Sequence, residues 1–496
     1  SDIMAQVKVY EEKLNLPTYL VDPPSKVPQF FNNQSTQGAA NYIYPLAIND
    51  IISDRRVMAD HHIVALENEY IKVGISPEIG GKVYYAIDKS NGHDFIYMNE
   101  QVKPGNISPI GAWVSGGIEW CVMHHHRPSG FLPINYTTTE SEGGKKTIWI
   151  SETEPRHRVR WTIGVSAFPG KSYFEAEVKM VNQTPYTHSF LFWANVATET
   201  NENFQVFFPE SVQFATFHSK NSMTRFPFST EVYNNYDFTK GVDVSWWKNS
   251  PNSNSFFAWD LKEDFMGGYD HGKNVGTVHV GDHNITKGAK LWEWGSGPRG
   301  QATEGRLTET SGPYVEIMVG TYSDNQPDYS WLRPGEVKTW KQYWFPIRDI
   351  KGIKYANLNG ALNLELKDNQ VFVGYNSTQK FSKARIIVKN GDKVLLQKDL
   401  EISPDKPFTQ TLKVDASVKR TDLYTEMVNL ENNQVLLSYQ PKDYEKKPLP
   451  ETVKNPEQPE NIKTVEELYL TGKRIEQFYH PRYDELDYYR EALKRD

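Results

Sequence analysis

The chain is almost without cysteine, has no long apolar run and carries no block of positive charge. Cys121 stands alone among 496 residues, so no disulfide can close within the chain. No apolar stretch approaches the roughly 20 residues that cross a bilayer as a helix, so no membrane span is expected. Net charge is −7 and the Lys and Arg residues are scattered, which argues against nucleic acid as a partner, because phosphate binding needs clustered cations. Between residues 61 and 349 convincing long amphipathic helices are absent as well. The chain does hold many aromatic rings: at 13% Phe, Trp and Tyr it is rich in side chains that pack flat on pleated strands and also stack on the C–H face of a pyranose. Its length exceeds one compact core, so roughly two to four domains are expected.

Residues 1–60 read as a β-rich segment docking on the core, with short strands at Val7-Lys8-Val9-Tyr10 and Asn41-Tyr42-Ile43-Tyr44-Pro45. Met4-Ala5-Gln6 reads either as a start or as the stub of a removed signal peptide; the small residue followed by Gln6 and a polar strand favours the second, which points to a periplasmic or otherwise exported protein, with a cytoplasmic one as the alternative. From 61 to 349 strand follows strand: Ile63–Leu66, Ile71–Ile75, Lys82–Ile87, Thr147–Ser151, Val159–Ala167, Tyr173–Val181, Ser189–Ala194, Phe256–Trp259, Gly276–Val280 and Tyr314–Met318. So many strands in one region imply a large double-sheet structure. Residues 350–441 alternate cleanly in short strands around an Asn390-Gly391 hairpin turn, the pattern of a smaller immunoglobulin-like β-sandwich. Residues 442–463 are rich in Lys, Glu and Pro and form a linker. In 464–496 the period becomes helical, with Thr464 and Glu467 spaced as a capping box. The helix read at Tyr483–Asp496 looks like the start of a repeat cut short, which offers a surface to a protein partner.

Five segments hold groups suited to chemistry. The first is Trp113 with Gly116-Gly117-Ile118-Glu119-Trp120 and then His124-His125-His126-Arg127. Glu119 lies between glycines and Trp120, where an apolar wall would raise its pKa toward that of a general acid. On an extended segment three successive His side chains alternate, so at most two would face one site. The second is Asp243-Val244-Ser245-Trp246-Trp247-Lys248-Asn249, polar-tipped rings suited to a sugar subsite or to pinning a loop. The third is Tyr269-Asp270-His271, with His279, Asp282 and His283 further on; the spacing matches no strong metal signature, and neither a metal nor another cofactor is expected. In the fourth, Leu291-Trp292-Glu293-Trp294, the pleat puts both Trp on one face and Glu293 on the other. In the fifth, Glu316 interrupts the apolar strand Tyr314–Met318, and Asp324 follows in an Asp- and Pro-containing loop; an acid there is costly to bury unless paired or used.

Two stretches carry a resemblance. Glu67–Val73 through Pro77–Val83, with Glu316 and its following loop, is similar to the galactose mutarotase-like supersandwich. The resemblance implies Glu316 as general base and His125 or His126 as the first epimerase His. The second epimerase His normally follows an Asn on a middle strand; here Asn195 is present without the His. Ser115–Trp120, Gly268–Gly272 and Asp324–Tyr329 resemble a bacterial domain-of-unknown-function family that joins this supersandwich to an immunoglobulin-like domain and C-terminal tetratricopeptide repeats. The expected fold is thus mainly β: a galactose mutarotase-like antiparallel β-supersandwich, a smaller immunoglobulin-like β-sandwich and a short helical C-terminal segment.

These observations point to a carbohydrate partner. The first expectation is a glycoside hydrolase with Glu119 and Glu316 as its carboxylate pair, His125 and His126 beside them and Glu293 in reserve. Trp113, Trp120, His124, Arg127, Trp246, Trp247, Lys248, Tyr269, Asp270, His271, Trp292 and Asp324 are the candidate substrate contacts. The alternatives are a sugar 1-epimerase with a Glu base and a His acid, and a non-catalytic glycan-binding module on a repeat scaffold.

Overall fold

The computed structural model describes residues 6–26, 49–107, 111–123, 125–325, 328–477 and 483–496. Runs of β-branched and aromatic residues bounded by Gly, Asn and Asp turns form its strands, and most of the chain's regular structure is strand. Among the described residues the first sheet has twelve strands. Its order runs Lys8–Val21, Ile52–Glu67, Ile71–Ser76, Lys82–Asp88, Ile118–Cys121, Phe192–Glu199, Tyr314–Thr321, Gly288–Glu293, Asn254–Ala258, Phe214–Thr216 and Met223–Arg225, with His93–Ile96 paired to Lys82–Asp88. The second has eight: Phe204–Phe207, Phe265–Asp270, Val275–Val280, Val337–Arg348, Phe174–Val181, Arg160–Ala167, Lys146–Thr153 and Asn135–Glu140.

One core lies between the sheets. Leu66, Ile118, Trp120, Val196, Leu291 and Ile317 of the first sheet meet Ile148, Ile163, Val178 and Trp344 of the second. Each such aliphatic side chain contributes roughly 1.5–3 kcal/mol by leaving water. The pleat then fixes what the first sheet shows on its other side: where Val315, Ile317 and Val319 point into the core, Tyr314, Glu316 and Met318 point away from it. That outer face carries the candidate site.

Three features depart from the sequence expectations. Lys8–Val21 is a 14-residue strand paired antiparallel to the 16-residue Ile52–Glu67, so the division drawn at residue 60 falls inside a strand and the N-terminal segment extends the first sheet. The strand expected at Asn41–Pro45 lies outside the described residues. Pro298–Thr308 is a helix that the sequence pattern hid, because Gly300 and Gly305 dilute its helical signal.

Residues from Tyr355 to Tyr439 form two four-stranded sheets around their own core of Leu362, Val373, Ile386 and Met427. A separate cluster including Phe265, Phe345, Ile353 and Ala361 joins this unit to the large sandwich. The helices Val465–Gln477 and Glu485–Arg495 follow, and Thr464 Oγ1 accepts from the Glu467 backbone N–H at 3.1 Å. Among the described residues no helix is long and apolar enough to cross a membrane.

Candidate functional site

Neighbouring strands in the middle of the first sheet bring the site together. Glu119 pairs in register with Asn195, Ala197 pairs with Glu316, and Glu316 pairs with Trp292. Glu119 and Glu316 are thus two strands across and two residues along, about 12 Å between Cα atoms, which their side chains shorten. Lys290 and Trp292 share this face by alternation. Trp193 forms part of the floor. Its ring lies across Gly288 and Gly320, where an added Cβ would fall 2.5 Å from it.

The segment after Cys121 is not extended, contrary to expectation. Met123 and His125 have left-handed φ values of 71° and 66°, so the chain turns back on itself and the simple alternation of the His side chains fails. Arg127 pins the turn from the core side: Nε donates to the Trp120 carbonyl at 3.0 Å, Nη2 to the Gly80 carbonyl at 2.8 Å and Nη1 to Glu152 at 2.9 Å. The result places His126 Nδ1 2.7 Å from Glu119 Oε2. Trp113 Nε1 donates to Glu119 Oε1 at 3.0 Å, and Asn195 Nδ2 approaches the same oxygen at 3.4 Å. Among the described residues, His126 Nε2 and the Glu316 carboxylate make no hydrogen bond.

Burial drives the electrostatics. It pushes Glu119 up, but the His126 charge and hydrogen bond, the Trp113 hydrogen bond and the Lys82 charge outweigh it and hold Glu119 down at about 2. Burial pulls the His126 imidazole down, yet Glu119 leaves it raised above its ordinary value. Glu316 has no such partner: burial and the Glu119 charge push it up to about 7, against the pull of Lys290, His126 and Lys82. Burial and the His126 charge bring His125 down to about 3, so it is neutral. The two carboxylates are therefore driven apart, one ionised and oriented, the other poised near neutrality.

Several expected residues lie elsewhere. Trp120 is fully buried in the core, its Nε1 donating to the Gly81 carbonyl at 3.1 Å, and Arg127 is a buried anchor. Glu293 faces the core side, as the pleat required, and burial raises its carboxyl well above the usual range. Among the described residues both Glu293 oxygens lack hydrogen-bond partners. Trp247 and Tyr269 are buried, Trp247 in the core of the large sandwich and Tyr269 in the cluster that joins it to the next unit. Asp270 caps a turn by accepting from the Gly272 and Lys273 backbone N–H groups at 2.8 and 3.0 Å. Trp246 stacks on His271 at 4.8 Å, with Lys248 Nζ 4.9 Å from its ring centre. Asp324 accepts from Lys220 Nζ at 3.1 Å. His124 lies outside the described residues.

Three site residues escaped the sequence analysis: Lys82, Lys290 and His218. Lys82 Nζ donates to the Val114 carbonyl at 2.8 Å, and Lys290 Nζ donates to His218 Nε2 at 3.1 Å. Because an ammonium has no acceptor, His218 Nε2 must accept, so Nδ1 carries the proton and donates to Ser255 Oγ at 2.8 Å. Burial and the Lys290 charge push His218 well down, consistent with that neutral form. The alternation of Lys290, Trp292 and Trp294 was the available signal for the lysine. His218 sits in a one-turn segment without any.

Among the described residues two groups could hold a metal. Glu119, Cys121 and His126 offer donor atoms within 4.8 Å of one another, as do the surface residues Asp264, Asp282 and His283. In the first group burial pushes the Cys121 thiol well up, which keeps it protonated, and two buried ammonium groups act on the same carboxylates.

A TPR-domain containing protein from Parabacteroides distasonis has a solved structure similar over 72% of this chain, at 24% identity and TM-score 0.60. The chain covers 58% of that protein's length. Galactose mutarotase-like proteins from Clostridium acetobutylicum and Lactobacillus casei match 58% and 57% of this chain and 96% and 99% of theirs, at 13% and 8% identity, each with TM-score 0.41. The model described as YphG-like protein, second domain, matches residues 355–439. The model described as Domain of unknown function (DUF5107) matches residues 39–347, more than half of the chain, and the chain belongs to that family.

Proposed function

We propose that the outer face of the first sheet interconverts the anomers of an aldose by acid–base catalysis, with Glu316 as base and His126 as acid. One observation carries this choice over a paired-carboxylate hydrolase: Glu119 is already engaged. One of its oxygens takes His126, and the other takes Trp113 and Asn195. A hydrolase needs both carboxylates free to meet the sugar or a water. Glu119 instead resembles the acid that fixes the tautomer and orientation of a catalytic imidazole.

In the proposed reaction Glu316 takes the proton of the C1 hydroxyl while His126 Nε2 gives one to the ring oxygen. The C1–O5 bond breaks, leaving an open-chain aldehyde. Rotation about C1–C2 and the reverse proton transfers close the ring on the other face, so no proton is gained or lost overall. Trp113, Trp292 and Trp294 offer apolar surface to the ring, and Glu316 near neutral pH suits a base that must also return its proton. Glu316 must be ionised, so the rate rises as pH climbs through about 7. His126 must be protonated, so the rate falls as pH passes its raised value.

Exchange NMR on common aldoses tests this: accelerated anomer exchange that Glu316→Gln abolishes is the expected result. Release of a reducing sugar from glycosides, with no anomer exchange, would restore the hydrolase.

A further inference from the structure

The proposed chemistry leaves two buried cations without a role. Lys82 and Lys290 are each 6% exposed. Lys82 has the Val114 carbonyl as its hydrogen-bond acceptor. Lys290 has a neutral imidazole, His218, and the rings of Phe257 and Trp292 at 4.6 and 5.8 Å. Among the described residues, no ion pair within 4 Å reaches either ammonium, although shorter-range pairs are common elsewhere in the chain. Aromatic faces offset part of the cost of burying an ammonium, but not all of it. Against Lys82, Lys290 and the His126 imidazolium stand Glu119 and a Glu316 that is only partly ionised near neutrality. Burial lowers both lysines to about 8, which leaves them mainly charged at neutral pH, so the cluster has an excess of positive charge, which draws anions.

The position of Lys290 sharpens this. It lies two residues along its strand from Trp292, the residue in register with Glu316. Lys290 and Glu316 are thus one strand across and two residues along, roughly 8 Å between Cα atoms, near enough for one hexose to meet Glu316 at its reacting C1 end and Lys290 at its C6 end. We propose that the substrate is an aldose bearing its own negative group, a carboxylate or a phosphate at the C6 end, received by Lys290 beside His218. This rests on the anomer-exchange reading for the end at Glu316.

The test measures exchange by NMR for glucuronate and galacturonate, for glucose 6-phosphate, and for neutral glucose and galactose. The expected kcat/KM is higher for one anionic arm than for the neutral sugars by about ten-fold or more, the scale of one hydrogen bond to a charged group. Which arm wins tells carboxylate from phosphate. Lys290→Met should bring that ratio to within about two-fold, and Lys290→Arg should keep most of it; thermal melting checks that both fold. If Lys290 serves only to tune Glu316, Lys290→Met shifts the pH profile upward and leaves the ratio unchanged, which overturns the proposal. A preference for neutral sugars overturns it too. Binding is read separately by saturation-transfer NMR with the same anionic sugars. An anion that binds the wild type but not Lys290→Met, without exchange of any sugar, upholds the charge reading while the epimerase falls. No binding of any anionic sugar overturns the charge reading.

Discussion

Two regions of this protein share a composition and differ in what they leave over. One is the Glu119–His126–Glu316–Lys290 cluster on the first sheet; the other surrounds Trp246 and His271 at the end of the second. Both combine indole rings, imidazoles, acids and a lysine. Around Trp246 the groups nearest the ring bond to one another, although the buried Trp247 Nε1 and Ser250 Oγ of the same loop have no hydrogen-bond partner among the described residues: His271 Nε2 lies 2.9 Å from Gln205 Oε1, Gln205 donates to Ser245, Ser245 donates to Asp243, and His271 stacks on the indole. In the first-sheet cluster the central groups do not. Among the described residues Asn195 Oδ1, in a side chain 4% exposed, is buried without a hydrogen-bond partner, and no side chain donates to the Glu316 carboxylate. Buried polar groups are normally satisfied, so capacity left over on a face turned away from the core marks a surface that expects a ligand, whereas the unpartnered Glu293 oxygens face the core and do not.

The largest effect is expected of Glu316→Gln, which keeps shape and removes the base. Anomer exchange should fall by about 10²–10⁴-fold, the usual worth of one general base, with the melting curve at pH 5 unchanged. A loss smaller than a few fold would dismiss Glu316 as the base. Next is Glu119→Gln. It should cost about 10–100-fold, as loss of an orienting partner typically does, and it should move the alkaline limb of the pH profile to lower pH. The sign follows from the charge: Glu119 favours the His126 imidazolium, so without it the proton leaves at lower pH. An unmoved alkaline limb would mean that His126 is not the acid.

Glu316 also makes a stability prediction. Its carboxyl is raised in the folded protein from 4.5 to about 7, so folding favours the protonated form. The wild type has its full stability below about pH 4.5 and loses it as pH rises through 7. Glu316→Gln carries no such penalty. The two proteins should melt together at pH 5 and separate by pH 8, with the variant the more stable by about 2 kcal/mol, or roughly 4 °C for a domain of this size. Parallel curves across that range would mean that Glu316 is ionised freely and is not held in an apolar setting.

How far the sequence foretold this site depends on the residue. Glu316 was visible because a lone acid in Tyr314–Met318 breaks an apolar alternation. The outward pair Trp292 and Trp294, with Glu293 opposed, followed from the same period of two. Lys290 obeyed that period too, but a lysine in a strand draws no notice when acids and aromatics are sought. His126 could not be told from His125, because the left-handed φ values at Met123 and His125 are set by the Arg127 anchor and not by any local propensity. The engagement of Glu119 was out of reach: it needs Asn195, 76 residues away, and the register of Ile118–Cys121 on Phe192–Glu199. Strands declare themselves locally, whereas the order in which they pair is a property of the whole sheet. The two large sheets and the smaller sandwich were therefore legible as strand content, and the strand order was not.

The narrowest contrast is Trp246→Ala. The ring is partly exposed beside Asp243, Lys248 and Asn249, the composition of a sugar platform, and the sequence alone suggests one. In the folded protein His271 stacks on it at an interplanar angle of 25°, and Lys248 Nζ lies 4.9 Å from its centre. A sugar would have to displace one of them. The bridge between Gln205 and Trp246 ties the same loop to the edge of the second sheet. Removing the indole should therefore lower stability by about 1–3 kcal/mol, the scale of burying a large apolar side chain, and loosen the loop. It should leave sugar affinity and the anomer-exchange rate within about two-fold of wild type, below the 1–3 kcal/mol expected of a lost aromatic platform. Saturation-transfer NMR and thermal melting on one folded sample read both quantities. If affinity drops while the melting temperature holds, Trp246 is a subsite after all, and leftover bonding capacity is not the rule that separates the two regions.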